Sequence, residues 1–336
     1  MARYKPYTDK LSERYDSGIP FRVFSFIYLC LLINYTIVYY PENIKVNGLI
    51  ISTILYIESL FWFGMSYFAF YKATFSDAGE PRDNYKHPVP FTDPEEFKAK
   101  SRRGEKVYDI YTKILMHMGD KAIRRGYNLE DTMTYDQEIG YEEQVLSRKD
   151  LVTCNAIMNA FDYKHCKRWN KDVPPRSQHC TMCKRCILKF DHHWVVTGNC
   201  IGFRNRKIFI LMHLYTAISA LNIMSQYLVG VLKFKFGSND TLTFVVEYIV
   251  VMVFMGMVIL LTHVSLFIQV FAMWRDKWQI DTHWDTSANI YDTGSIIQNI
   301  KSTLGNPTNK LMWLIPLDFG DLEGDGHDFS FYYKEL

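Results

Sequence analysis

Four long apolar blocks interrupt an otherwise polar chain of 336 residues. They run Pro20–Tyr40, Asn47–Tyr71, about Ile208 to Leu232 and about Thr243 to Met273. Each supplies the roughly 20 mostly apolar residues that an α-helix needs to cross a ~30 Å hydrocarbon core. Tyr and Trp gather at the edges of these blocks, where a membrane interface favours them. The pattern predicts an α-helical integral membrane protein, a four-transmembrane-helix bundle with a polar insertion between spans two and three. It divides the chain into an N-terminal segment (1–19), a first helix pair (20–71), a linker and insert (72–163), a Cys/His-rich module (164–207), a second helix pair (208–273) and a C-terminal tail (274–336).

Charge then sets an orientation. The whole-chain balance, +2, names no acidic partner. Its distribution is more telling: about 25 of the 38 lysines and arginines lie between spans two and three. The 41–46 connection holds only Lys45, and the 233–242 connection holds Lys233 and Lys235. Cytoplasmic loops collect Lys and Arg. The N-terminus, the large loop and the C-terminal tail are therefore expected in the cytosol, with both short connections on the opposite side. Arg3, Lys5, Lys10 and Arg14 at one end and Arg275 and Lys277 at the other agree. A cleavable signal peptide is not expected, because 19 polar, charged residues precede the first span and no small-residue cleavage site follows it.

Within the spans, Glu58, His213 and His263 are candidates for function, since ionisable groups are costly in hydrocarbon. The plainer reading is an interhelical hydrogen bond, with Glu58 protonated or paired. The mixed-charge stretch 82–160 has no repeat and offers no chemistry. Short helices are expected at Pro94–Lys106 and Tyr141–Asn159.

The seven cysteines are unevenly placed. Cys30 lies in the first apolar block and Cys154 stands apart, while Cys166, Cys180, Cys183, Cys186 and Cys200 crowd together among histidines. Disulfide frameworks do not usually interleave His, so this spacing reads as metal binding in a reducing compartment. Dense Cys, His, Lys and Arg around Pro174-Pro175 predict irregular, metal-stapled structure, since small zinc modules lack the apolar area to fold alone.

The run Cys166-x2-Trp169, His179-Cys180-x2-Cys183-x2-Cys186, Asp191-His192-His193-Trp194, Cys200, Asn205 and Phe209 resembles the cysteine-rich domain of the DHHC family of protein S-acyltransferases (palmitoyltransferases). Every spacing of that family's pattern is kept. Pro174-Pro175-Arg176-Ser177, Ser76-Asp77-Ala78-Gly79-Glu80-Pro81 and Asn289-Ile290-Tyr291-Asp292-Thr293-Gly294, followed by Asn299 and Gly305, are similar to further family motifs. Thr282-His283-Trp284-Asp285 is a degraded version of another. The resemblance implies two structural Zn²⁺ ions. One set is Cys180, Cys183, His193 and Cys200. The other is Cys166, residue 169, His179 and Cys186. Residue 169 is Trp, which has no lone pair to offer, so this second set has three ligands unless His165, Cys154 or water completes it.

The resemblance also implies transfer of a long acyl chain from acyl-CoA, such as palmitoyl-CoA, to cysteines of membrane-associated proteins through an acyl-enzyme. His192 carries over as the base and Asp191 as its orienting carboxylate. The nucleophile's place is Trp194, and indole cannot form a thioester. The flanking Val195-Val196-Thr197-Gly198-Asn199 departs from the family's loop as well. Three readings follow: a pseudoenzyme that keeps the fold for binding or scaffolding, a divergent enzyme using another route, or a chain whose tryptophans 169 and 194 both stand for Cys through a UGA codon of a variant genetic code. The basic residues around the module suit anionic lipid headgroups and CoA phosphates. A nucleic-acid partner is not expected, because the flanking spans fix the module at a membrane. An endomembrane (Golgi or ER) or plasma-membrane location is expected.

Overall fold

The computed structural model describes residues 18–85, 165–174, 176–233, 241–278, 291–318, 322 and 324–327. Cys154, the 82–160 insert beyond Tyr85, the 282–285 motif and the N-terminal Arg3, Lys5, Lys10 and Arg14 lie outside them, as does the side chain of His165. Among the described residues, four stretches are long and apolar enough to cross a membrane: Ile19–Lys45, Leu49–Phe75, Arg206–Val229 and Tyr248–Trp274.

The first stretch comprises α1 (Gly18–Asn34), a π-helical turn (Tyr35–Tyr39) and α2 (Tyr40–Asn47). In the turn, the Tyr40 N–H reaches back to the carbonyl of Tyr35, one residue further than in an α-helix. The 41–46 connection expected from the sequence is therefore helix. Pro41 lies inside this continuous helix, just after the π turn, and has no N–H to return to the turn before it. The reversal falls on Gly48, whose φ of +79° suits a residue without Cβ. Next come α3 (Leu49–Phe75), α4 (Arg206–Lys233) and α5 (Thr241–Trp274), and then the short α6 (Ile296–Leu304) in the tail.

The helix α4 is the hub. It packs on both α3 and α5, and 61% of its spanning window is buried against 6–17% for the other three. The outer helices instead expose apolar side chains such as Phe26, Ile50, Val253 and Phe267, a surface that suits lipid rather than water. Between α3 and α4 runs a seam of small and polar residues, the packing that membrane helices favour. Ser59 lies at its centre, accepting from Tyr35 (2.9 Å) and Gln226 (2.7 Å) and donating to Asn222. Ser66 pairs with Thr216 at 2.8 Å.

Of the three ionisable residues, only His213 turns into the protein, where it is buried. Glu58 does not make the interhelical bond expected of it: it lies exposed on the outer face of α3, flanked by exposed Ile54, Ile57 and Phe61. Neither the hydropathy of a span nor its helical period indicates which face meets a neighbour. His263 is also exposed and closes a local bond to the Ile259 carbonyl, at 2.8 Å.

Between α3 and α4 the described residues form three antiparallel hairpins, where the sequence suggested irregular structure. They are β1 (His165–Cys166) with β2 (Lys171–Asp172), β3 (Gln178–Cys180) with β4 (Arg185–Ile187), and β5 (His192–Trp194) with β6 (Asn199–Ile201).

Candidate metal centre and active site

Strand register explains how the Cys/His residues converge. In the second hairpin His179 lies opposite Cys186, and in the third His193 lies opposite Cys200. Side chains directly across an antiparallel pair share a face and nearly touch. Each of these two hairpins therefore delivers one His–Cys pair. Successive residues of a strand point to opposite faces, so His179 and its neighbour Cys180 serve different clusters, and β3 joins the two.

One cluster gathers Cys180, Cys183, His193 and Cys200, and the other Cys166, His179 and Cys186; within each, the donor atoms lie within 4.8 Å of one another. In the first, His193 Nδ1 stands 3.7, 3.4 and 3.6 Å from the sulfurs of Cys180, Cys183 and Cys200. The Cys183 and Cys200 sulfurs are 3.3 Å apart. Zn–S bonds of ~2.3 Å and Zn–N bonds of ~2.0 Å in a tetrahedron put S···N edges near 3.6 Å and S···S edges near 3.8 Å. The four donors therefore fit a zinc ion. The second cluster has the same edges, with His179 Nδ1 at 3.5 Å from Cys166 and 3.6 Å from Cys186, but only three donors among the described residues. Hydrogen bonds from Cys183 and Cys200 hold the Cys180 thiol far below the usual thiol range, and bonds to the Cys180 and Cys183 sulfurs push His193 up to about 9. A metal ion would take the place of these shared protons.

The same alternation sends His192 and Trp194 away from the Cys180–Cys183–His193–Cys200 cluster. Their rings stand 5.5 Å apart, and both meet Phe209 of α4, His192 at 5.1 Å and Trp194 at 5.5 Å. Trp194 also edges His213 at 5.8 Å and packs on the core formed by Ala69, Phe70, Ile208 and Met212 at the end of the helix bundle. Asp191, buried at 3% exposure, faces His192 Nδ1 at 3.4 Å. Its Oδ2 accepts a 3.0 Å hydrogen bond from Gln269 of α5. With Nδ1 turned to the carboxylate, Nε2 is the nitrogen left to take a proton. His192 Nε2 and Trp194 Nε1 are both buried and have no hydrogen-bond partner among the described residues.

The other motif residues fasten this module to the membrane helices. The Asn199 amide donates to the carbonyls of Ala73 (3.0 Å) and Ser76 (2.8 Å) at the end of α3, while its oxygen accepts from the Cys200 N–H at 2.9 Å. Asn205 spans the Cys200 carbonyl and the Gly202 N–H, both at 2.9 Å. Asp77 accepts from Arg204 at 3.0 Å. Trp278, 1% exposed, is stacked by Arg206 at 4.0 Å, with Arg176 at 5.8 Å and Lys189 at 5.7 Å around it. Tyr291 takes the Arg176 guanidinium at 4.0 Å. Asn299 binds the Trp274 carbonyl (2.7 Å) and Asp292 (2.8 Å), tying α6 to the end of α5. Sequence reasoning missed Gln269 and Trp278. A lone glutamine in an apolar span was the one available signal for the first.

The class is thus a multi-pass helical membrane protein with a Cys/His metal module seated on its helix ends. Residues 159–286 match the family described as DHHC palmitoyltransferase. The chain is 30% identical over 177 residues to "Palmitoyltransferase ZDHHC15" of Rattus norvegicus, covering 49% of this chain and 50% of that protein. It is 28% identical over 186 residues to "Probable protein S-acyltransferase 15" of Arabidopsis thaliana, covering 51% and 71%. It is 29% identical over 192 residues to "Probable palmitoyltransferase ZDHHC24" of Rattus norvegicus, covering 50% and 64%. The chain spans about half the length of the first of these relatives. The family match is confined to residues 159–286, less than half of the chain, and it is this domain that is similar to the DHHC palmitoyltransferases.

Proposed function

We propose that the site is built for S-acyl transfer at the cytosolic leaflet, moving a long acyl chain from acyl-CoA to cysteines of membrane-associated proteins, with residue 194 in the nucleophile's place. One observation carries this reading: His192 and residue 194 share one face of β5, against Phe209, with the Asp191 carboxylate just before the strand turned to His192 Nδ1, while His193 on the other face joins the Cys cluster. A thiol at 194 would lose its proton to His192 Nε2 and attack the thioester carbonyl, releasing CoA as its thiol. A substrate cysteine would then attack the new thioester and regenerate the enzyme thiol. Cys180, Cys183, His193 and Cys200 would hold a zinc ion, which would supply rigidity to the site.

Trp194 favours a second reading for the chain as it stands. Its indole packs on the core and offers no attacking atom, and the cysteines outside the clusters reduce, among the described residues, to exposed Cys30 on α1. This reading is a family member that retains the site for binding acyl-CoA and scaffolding without forming a thioester. Incubation with a clickable palmitoyl-CoA separates the two. Trp194→Cys should acquire a hydroxylamine-labile label that His192→Ala then removes, and the Trp194 chain should carry none. If Trp194→Cys binds metal normally and still takes no label, the acyl-transfer reading fails. Labile labelling of the Trp194 chain would rule out the scaffold. The mass of the 190–200 peptide from the native source decides whether residue 194 is Trp there.

A further inference from the structure

We propose that the Cys166–His179–Cys186 cluster is a three-ligand zinc site whose fourth coordination place is filled from solvent. Its ion then exchanges, while the ion of the Cys180–Cys183–His193–Cys200 cluster stays. This proposal is independent of whether acyl transfer occurs.

The two Cys-x2 turns that open the clusters are close copies in backbone but not in chemistry. In the complete cluster, Cys180-x2-Cys183 is followed by Lys184 at φ +53°; in the other, Cys166-x2-Trp169 is followed by Asn170 at φ +51°. Left-handed geometry at the same step of both turns places residue 169 where a fourth ligand belongs. Trp has only an indole N–H there, a donor with no lone pair for a metal. Its ring is engaged instead by the Lys171 ammonium, 5.1 Å from the centroid. The sulfurs differ as well. Cys180, Cys183 and Cys200 are all buried, and the Cys183 N–H points at Cys180 Sγ (3.4 Å). Cys166 and His179 are partly exposed, so water can reach a metal between them. In the Cys166 turn, the Trp169 and Asn170 N–H groups close on the Cys166 carbonyl, at 3.1 and 2.7 Å.

Two thiolates neutralise Zn²⁺ where three would leave a net negative site, and an open place is the mark of zinc that trades ligands. Loss of this ion would release the β1–β2 hairpin from β3–β4. The β5–β6 hairpin, which carries His192, would stay clamped through His193.

The test uses the full chain in detergent, loaded with Zn²⁺ and counted by native mass spectrometry during challenge with a coloured chelator. Two kinetic classes are expected, about one ion each, the fast one leaving more than ~100-fold sooner, beyond what loss of an outer-shell partner costs. Trp169→Cys should move both ions into the slow class. Cys166→Ser should abolish the fast ion and keep the slow one. Co²⁺ at the fast site should show a ligand-field spectrum that shifts on adding a small thiol, as an open place requires. Retention of both ions in one slow class, or binding of a single ion, overturns the proposal. So does His165→Ala or Cys154→Ala speeding the release, since either result would reveal a protein fourth ligand. A native peptide mass showing Cys at 169 overturns it for the natural chain.

Discussion

Asn199→Ala tests whether the metal module and the membrane helices stand as one unit. Asn199 is 3% exposed and makes three hydrogen bonds, donating to the Ala73 and Ser76 carbonyls at the end of α3 and accepting from the Cys200 N–H. The last carbonyls of a helix have no intrahelical partner, so the side chain caps α3 while fixing a metal ligand. Alanine removes all three bonds and leaves three backbone groups without this partner. A typical bond is worth about 1 kcal/mol net, and a buried group left unsatisfied costs about 1–3 kcal/mol, so the loss should total about 3–6 kcal/mol. At ~2–4 °C per kcal/mol, that lowers the unfolding midpoint by roughly 6 °C or more. Asn199→Asp keeps the acceptor for Cys200 but faces two carbonyls with a carboxylate, and should do no better. The assay is tryptophan fluorescence during heating in detergent, with zinc release followed in the same sample. A midpoint within about 2 °C of the unsubstituted protein, with zinc retained, would refute the claim that Asn199 fastens the module.

Gly202→Ala should destabilise by about 1–3 kcal/mol, because a Cβ there would stand 2.5 Å from Ile187 Cγ2 and 2.6 Å from the Ala78 carbonyl; an unchanged melting midpoint would count against the packing at this site. In the Trp194→Cys background, Gln269→Leu removes the 3.0 Å bond that holds Asp191, and labelling by palmitoyl-CoA should slow by about tenfold or more through misplacement of His192; an equal rate would show that Asp191 needs no anchor. His327, which accepts from the Arg82 N–H at 2.9 Å, has its pKa lowered by burial. The folded state therefore binds fewer protons than the unfolded one, and this contact is fully stable above about pH 6.5 and weakens as pH falls. Hydrogen exchange at the Arg82 amide should quicken at acid pH beyond the intrinsic trend, and protection that follows the intrinsic rate alone would exclude the link.

The spans were legible because hydrocarbon thickness sets a length and composition that any sequence must show. The faces of the spans were not. Glu58 reads as a bundle residue by cost alone, yet it points outward, because α3 spends its buried face on Ser52, Ser59 and Ser66. The end of the first span was misplaced for a local reason: the π turn at Tyr35–Tyr39 keeps the helix running to Asn47. The Cys and His residues of the two clusters were legible one by one from spacing, but their division between two faces of β3 is a property of strand alternation. Gln269 and Trp278 reach the site from 78 and more residues away, through helix packing that no local pattern encodes.

Strand alternation also separates the consequences of the two tryptophans. Residues 192, 193 and 194 are consecutive, yet only the middle one faces the metal, because β5 points its neighbours the other way. Trp194 therefore alters the reacting face and leaves the Cys180–Cys183–His193–Cys200 ring whole. Trp169 sits in the ligand turn itself, where the same indole removes a coordination place. Substituting Cys at 194 should change acyl labelling while leaving the zinc count and release rates as they were. Substituting Cys at 169 should change zinc release and leave the His192 face untouched. If either substitution shifted both readouts together, the hairpin would not be insulating its two faces, and the assignment of separate roles to successive residues of β5 would fail.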